Sequence, residues 1–226
     1  MKQAIIFLLS VAFLCSCSPQ ITTKGKQYAK LYEEDPVTIV VMPPINQTDF
    51  VDAKEYFYTT LHKPLCEKGY YVFSPYMTME FFQSESAYDS EMFVENDLTI
   101  FKNVLGADAA MFTIIKSWKK NGLLGSITVG IEYRLRSTQS GETIYSREGL
   151  ITVDTSVNSG TGGTIGFLTN AIATAINTAV TDKIVAGRRC NAFVLSDMPH
   201  GKYSSQHKVD SEQAAGEKFV RATVKQ

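Results

Sequence analysis

The sequence predicts an α/β fold: a mixed sheet, built from a parallel βαβαβ unit followed by an antiparallel meander, with helices packed on it and a C-terminal helix. Three observations carry this reading. Short, nearly continuous apolar runs at 37–42, 70–73 and 109–115 alternate with helical periodicities, as do strands buried on both faces of a parallel sheet. Residues 127–136 alternate strictly between apolar and polar, the pattern of a strand with one wet face. After a Gly/Ser/Thr-rich stretch at 156–164, small residues recur every four positions at Ala171, Ala175 and Ala179. That spacing predicts a long helix over about 165–186 that approaches its neighbour closely.

The elements follow in order. Met1-Lys2 is a cationic start, and Ala4 to Cys15 is an apolar run broken only by Ser10. The run is well short of the ~20 residues that span a bilayer, so residues 1–16 read as a signal peptide. Leu14-Cys15-Ser16-Cys17 resembles the bacterial lipobox, which makes Cys17 the lipidated (palmitate-bearing) first residue of the mature chain. Anchoring then comes from acyl chains, each buried methylene adding roughly 0.8 kcal/mol. Polar, irregular residues 17–35 read as a lipidated tether, 36–203 as a single α/β domain and 204–226 as a flexible tail.

Within the domain, Val37 to Met42 is the first strand, stopped by Pro43-Pro44, since proline donates no hydrogen bond to a sheet. Val51, Phe57, Leu61 and Leu65 space out a helix, with Pro64 predicting a kink near its end and Gly69 its stop. Tyr70 to Phe73 is a second strand. Leu98, Phe101 and Leu105 mark another helix, capped by Asn96 or Asp97. Ala109 to Ile115 is a third strand, and Lys119-Lys120-Asn121-Gly122 signals a turn. Residues 127–136 and 143–155 pair as a hairpin around Gln139-Ser140-Gly141, with a bulge expected at Gly149.

Composition excludes several classes. Hydrophobic residues at 44% and charged residues at 20% suit a folded globular domain. The net charge of −1 gives no general attraction to nucleic acid, and none is expected as a partner. Cys66 and Cys190 lack CxxC spacing or a nearby histidine; an exported protein could bond them, and the favoured expectation is two separate small core residues. His62, His200 and His207 are too scattered for a metal centre, which needs three or four ligands. No nucleophile elbow or paired carboxylates stand out, so neither an enzyme nor a cofactor is expected. The Ser159–Gly166 stretch lacks the lysine of a phosphate loop and reads as a linker. The candidate binding residues are Pro43, Pro44, Asn46 and Thr48, at the carboxyl end of a predicted parallel strand, where open α/β sheets place ligands. The competing reading is a rigid turn in which Asn46 or Thr48 bonds the backbone.

Several motifs resemble a family of bacterial lipoproteins of unknown function. They are Val40 to Thr48, with its Pro-Pro-x-Asn-x-Thr loop; Pro64 to Val72; Gly106-Ala107-Asp108-Ala109 before a strand and Trp118; the Gly141-Glu142 hairpin tip; and Met198-Pro199-His200-Gly201. That family is distantly similar to the curli-secretion lipoprotein and to the N-terminal domain of the Tol-system translocation protein. The resemblance implies an α/β sandwich, a role in envelope assembly or secretion, and no catalysis. The expected location is the outer membrane, facing the periplasm, because Ser18 rather than Asp follows Cys17. Expected partners are the membrane, through the lipid, and envelope proteins or further copies of the chain. A small-ligand or glycan binding module is the alternative.

Overall fold

The computed structural model describes residues 22–84, 89–121, 123, 125–154 and 183–225. The expected signal peptide, Cys17, the 156–164 stretch and positions 165–182 of the expected helix lie outside the described residues. The elements are α1 (Lys24–Gln27), α2 (Ala29–Glu34), β1 (Thr38–Val41), β2 (Ile45–Asn46), α3 (Ala53–Glu67), β3 (Tyr71–Val72) and α4 (Pro75–Ser84). They continue with α5 (Thr99–Leu105), β4 (Ala109–Asn121), β5 (Ser126–Ser137), β6 (Thr143–Asp154), α6 (Lys183–Val194) and β7 (Phe219–Lys225).

One sheet runs β3-β1-β4-β5-β6-β7, with β2 also alongside β4. β1 pairs in parallel with β3 and β4, β4-β5-β6 is an antiparallel meander, and β6 and β7 are again parallel. This is the mixed sheet that the apolar runs and the strict alternation predict. β1 reads as continuously apolar because both its faces are covered. Ile39 and Val41 join the larger core under α3 and α6, while Val40 and Met42 join a smaller one with Phe82, Leu98, Phe101 and Phe112. β5 alternates because only one of its faces is apolar: Ile127, Val129, Ile131, Tyr133 and Leu135 all lie in the larger core.

α3 and α6 cross closely. Asn191 is fully buried; its amide donates to Phe57 O at 3.3 Å and Thr60 Oγ1 at 2.9 Å, and its carbonyl accepts from the Tyr133 hydroxyl. A buried amide satisfied on both sides costs little and fixes two helices and a strand relative to one another.

Several local expectations are corrected. Residues 24–34 are not tether but two short helices, with Tyr28 and Leu31 in the larger core. The C-terminal stretch is not all tail: β7 zips onto β6 over seven residue pairs, and Val220, Ala222 and Val224 pack against the core. Gly149 sits in regular register opposite Ile131 rather than in a bulge. It is glycine because an added Cβ would lie 2.6 Å from Val194 Cγ2 of α6. The sheet's register shifts fall instead at Lys116 and beside Arg136. α3 continues through Pro64 to Glu67. α6 runs past the expected end at Ala186 to Val194, because Ala186, Cys190 and Val194 recur every four residues as one buried face. The turn residues Lys119 to Asn121 instead extend β4. Both cysteines are free, and only Cys190 is buried; Cys66 is exposed, with its Sγ 3.6 Å from the His62 ring.

Candidate functional site

β1 and β2 are one strand interrupted. Both pair with β4, but between Val41↔Met111 and Ile45↔Ile114 the β1–β2 side carries one residue more. Pro43 and Pro44 occupy this break, where the missing N–H groups cost no sheet bond. Both are buried, and Pro43 O accepts from Ser90 Oγ at 2.6 Å.

The chain then turns on Asn46. Its side-chain oxygen accepts from Thr48 N at 3.1 Å and Thr48 Oγ1 at 2.8 Å, and its amide donates to Phe50 O at 2.8 Å. Thr48 Oγ1 accepts from Phe50 N at 3.2 Å. This is the turn in which Asn and Thr substitute for backbone partners. The four candidate residues therefore lie together, but their polar atoms close the loop on itself.

That loop is one wall of an open cleft of about 540 Å³. Gln47, Thr48, Asp49 and Phe50 face Lys116 to Lys120 of β4 across it. Phe50 stacks on Trp118 with ring centroids 4.9 Å apart, and Phe57 meets Trp118 edge-on at 6.2 Å. Lys183 Nζ stands 4.5 Å from the centroid of Phe50 and Lys120 Nζ 5.3 Å, both within cation–π range. Partial burial and the neighbouring Lys183 charge lower the Lys120 ammonium pKa.

Lys116 is the extra residue where β4 slips against β5. Its ammonium lies 2.8 Å from Glu132 and 3.0 Å from Glu148. Burial opposes its charge, yet the two carboxylates outweigh that and raise its pKa. Lys183 also lies 3.9 Å from Asp52. The arrangement gathers stacked aromatic rings and cations at one cleft, side-chain types that suit a sugar ring or an acidic group. Among the described residues, no three His, Cys, Asp or Glu side chains gather where they would hold a metal ion.

Sequence reasoning located the turn and missed Phe50, Trp118, Lys120 and Lys183. The Lys-Ser-Trp-Lys-Lys run at 116–120 was a readable signal of a basic, aromatic strand end.

The remaining motifs act structurally. Asp108 Oδ2 accepts from the N–H groups of Val37 and Thr38, each at 3.0 Å, and Oδ1 from Lys102 at 2.6 Å. Burial opposes ionisation there, but these donors hold the Asp108 carboxyl below its ordinary pKa. The Gly-Ala-Asp-Ala motif thus fastens the start of β1. Met198 to Gly201 docks on Gly69-Tyr70: Gly201 N donates to Lys68 O at 2.8 Å and Tyr70 OH to Pro199 O at 2.9 Å. A Cβ on Gly201 would lie 2.7 Å from Gly69 O.

These are the motifs of a known group. Residues 26–201 match the family described as "Putative lipoprotein GNA1162-like". The chain belongs to the GNA1162-like family. A GNA1162-like relative, "Putative lipoprotein NMB1124/NMB1162" of Neisseria meningitidis serogroup B, is 26% identical over 185 residues, covering 81% of this chain and 85% of its own. The crystal structure of lipoprotein GNA1162 from Neisseria meningitidis is 22% identical, with a TM-score of 0.47, covering 64% of this chain and 99% of that one. The PelC dodecamer from Paraburkholderia phytofirmans is 17% identical, with a TM-score of 0.37, covering 74% of this chain and 89% of that one.

Proposed function

We propose that this GNA1162-like protein is an outer-membrane lipoprotein, anchored through Cys17 and facing the periplasm, that serves as a structural or accessory subunit of a cell-envelope assembly or secretion system. The observation that carries the reading is family membership over residues 26–201, joined to the lipobox-like Leu14-Cys15-Ser16-Cys17 just ahead of the matched region. Ser18 favours the outer membrane, by the usual bacterial sorting rule. Envelope proteins or further copies of the chain are its partners. Metabolic labelling with a palmitate analogue, followed by membrane fractionation, tests the anchor. The native chain takes up label and sediments with outer membranes, and Cys17→Ala does neither. An acylated Cys17→Ala product overturns the reading.

A second reading is a small-ligand or glycan binding module, and the cleft of about 540 Å³ with its Phe50 face and lysine edge favours it. A ligand that binds only the folded state raises the melting temperature by mass action. Envelope glycan fragments raise it for the native protein and less for Phe50→Ala. No shift with any fragment counts against this reading.

A further inference from the structure

The start of the described chain is clasped to the 197–215 region that precedes β7. Thr23 bridges Ala214 in antiparallel fashion, Ala215 N donates to Thr22 O at 2.8 Å, and Lys24 N donates to Gln213 O at 2.9 Å. Side chains reinforce these bonds. Tyr28 OH donates to Asp197 Oδ2 at 2.6 Å, and Tyr32 OH to Asp210 Oδ1 at 2.8 Å. Asp210 is fully buried; it also accepts from His200 N at 3.0 Å and lies 3.8 Å from the buried Lys24 ammonium. Asp35 pairs with His207 at 2.7 Å and Lys208 at 2.9 Å. The chain is therefore part of the domain from Thr22 onward.

This shortens the leash. Only Ser18-Pro19-Gln20-Ile21 stands between Cys17 and Thr22. At ~3.3–3.6 Å per residue, five steps reach at most about 18 Å. A polar headgroup layer takes up roughly 5–8 Å of that. The domain cannot stand far from the bilayer, and the surface beside Thr22 must be the one nearest to it. The segments there are α1 and the turns of 202–213. They expose Lys26, Lys202, Tyr203 at 70% and Val209 at 66%, with Glu212 and the Asp35-paired Lys208 beside them. Cationic, tyrosine and aliphatic side chains are the types that settle at a membrane–water boundary.

We propose that α1 and the 202–213 turns form a membrane-seated face, which rests on phospholipid headgroups and fixes the orientation of the domain. The proposal rests on Cys17 being the lipidated residue. It also places the Phe50–Trp118 cleft away from the bilayer. Tyr28 packs on Tyr145 of β6, whereas Trp118 lies in register with Val129 and Ile151, six residues further along β6 and so ~20 Å away.

Trp118 is the only tryptophan of the chain and serves as an internal reference. The lipidated full-length protein and its Val209→Trp variant are placed in vesicles of phosphatidylethanolamine and phosphatidylglycerol carrying brominated acyl chains. Val209 is exposed, so the substitution leaves the core untouched, and Tyr203→Trp provides a second probe. An added indole at boundary depth is quenched about twofold, while the native protein, reporting Trp118 alone, keeps its emission. Vesicle-bound protein in which neither added indole is quenched overturns the proposal and leaves the anchor standing. Equal quenching of Trp118 also overturns it, since the domain then has no fixed orientation. Protein that carries no lipid and does not bind the vesicles removes the anchor and the proposal together.

Discussion

Strand β5 has two unlike faces. Ile127, Val129, Ile131, Tyr133 and Leu135 point into the core beneath α3 and α6, all fully buried. Between them, Glu132 and Arg134 pair with each other on the opposite face, where Lys116, Glu148 and Glu95 extend the charge network. Helices α4 and α5 cover that second face only along β1 and the start of β4. Arg136, beside them, is buried by donating to the carbonyls of Phe93, Asn96 and Gly141. One face is held by shape and the other by charge, and the two should respond differently to the same kind of damage.

The largest difference is expected at adjacent residues. Leu135→Ala leaves a cavity under the helices and costs about 2–5 kcal/mol. Arg134→Ala removes two partly exposed ion pairs, to Glu95 and Glu132, and costs about 1 kcal/mol, since Lys116 still faces Glu132. Urea denaturation of both variants measures the gap, and equal losses would sink the distinction.

A finer comparison uses two glycines. Gly149 faces α6, where a Cβ meets the Val194 side chain at 2.6 Å inside the core, so Gly149→Ala costs about 1–3 kcal/mol. Gly130 lies on the other face, where a Cβ would be crowded by Ser117 Oγ at 2.6 Å and meet Ser117 N and Leu150 Cδ1 at ordinary distances. That hydroxyl can rotate away at the loss of one bond from Gly130 N, so Gly130→Ala costs about 1 kcal/mol or less. Melting temperatures of the pair rank them.

The smallest effect is one of pH. Burial works against the Glu132 charge, but Arg134 and Lys116 outweigh it and hold its carboxyl below the ordinary value. A carboxyl lowered on folding contributes its stability above its unfolded pKa, about 4.3, and loses it as pH falls through the folded value. The stability deficit of Glu132→Gln should therefore be full at neutral pH and shrink in acid. The Leu135→Ala deficit should persist throughout, and a Glu132→Gln deficit that is flat with pH would contradict the ion-pair account.

The same contrast explains what the sequence showed and what it hid. β5 was legible because one wet face imposes period two, and β1 because two dry faces impose a continuous apolar run. β7 was hidden although Val220, Ala222 and Val224 alternate, because an edge strand with half-exposed residues carries little apolar weight. α1 and α2, of four and six residues, are too short for a helical period and are held by partners far away in sequence. In the cleft, the Asn46 turn was local and readable. Its opposite wall comes from β4, and Lys183 from α6, so no spacing in the sequence announces them. The His62–Cys66 contact spans one helical turn and was readable from its spacing.

The clasp also sets an order of events. Lys24 and Gln213 are 189 positions apart, so their contact closes a loop of almost the whole domain and belongs among the last to form. In a chain exported with its N-terminus leading, residues 22–35 can meet the 140–145 end of the β5–β6 hairpin first but lack the rest of their docking surface until 197–217 have followed. The leading end is held less firmly through that interval, which leaves room for the acylation proposed above for Cys17. Once the C-terminal turns arrive, the clasp shuts and the leash shortens in one step. The order in which the N-terminal helices are locked down is thereby written into the distance between two hydrogen-bonded residues.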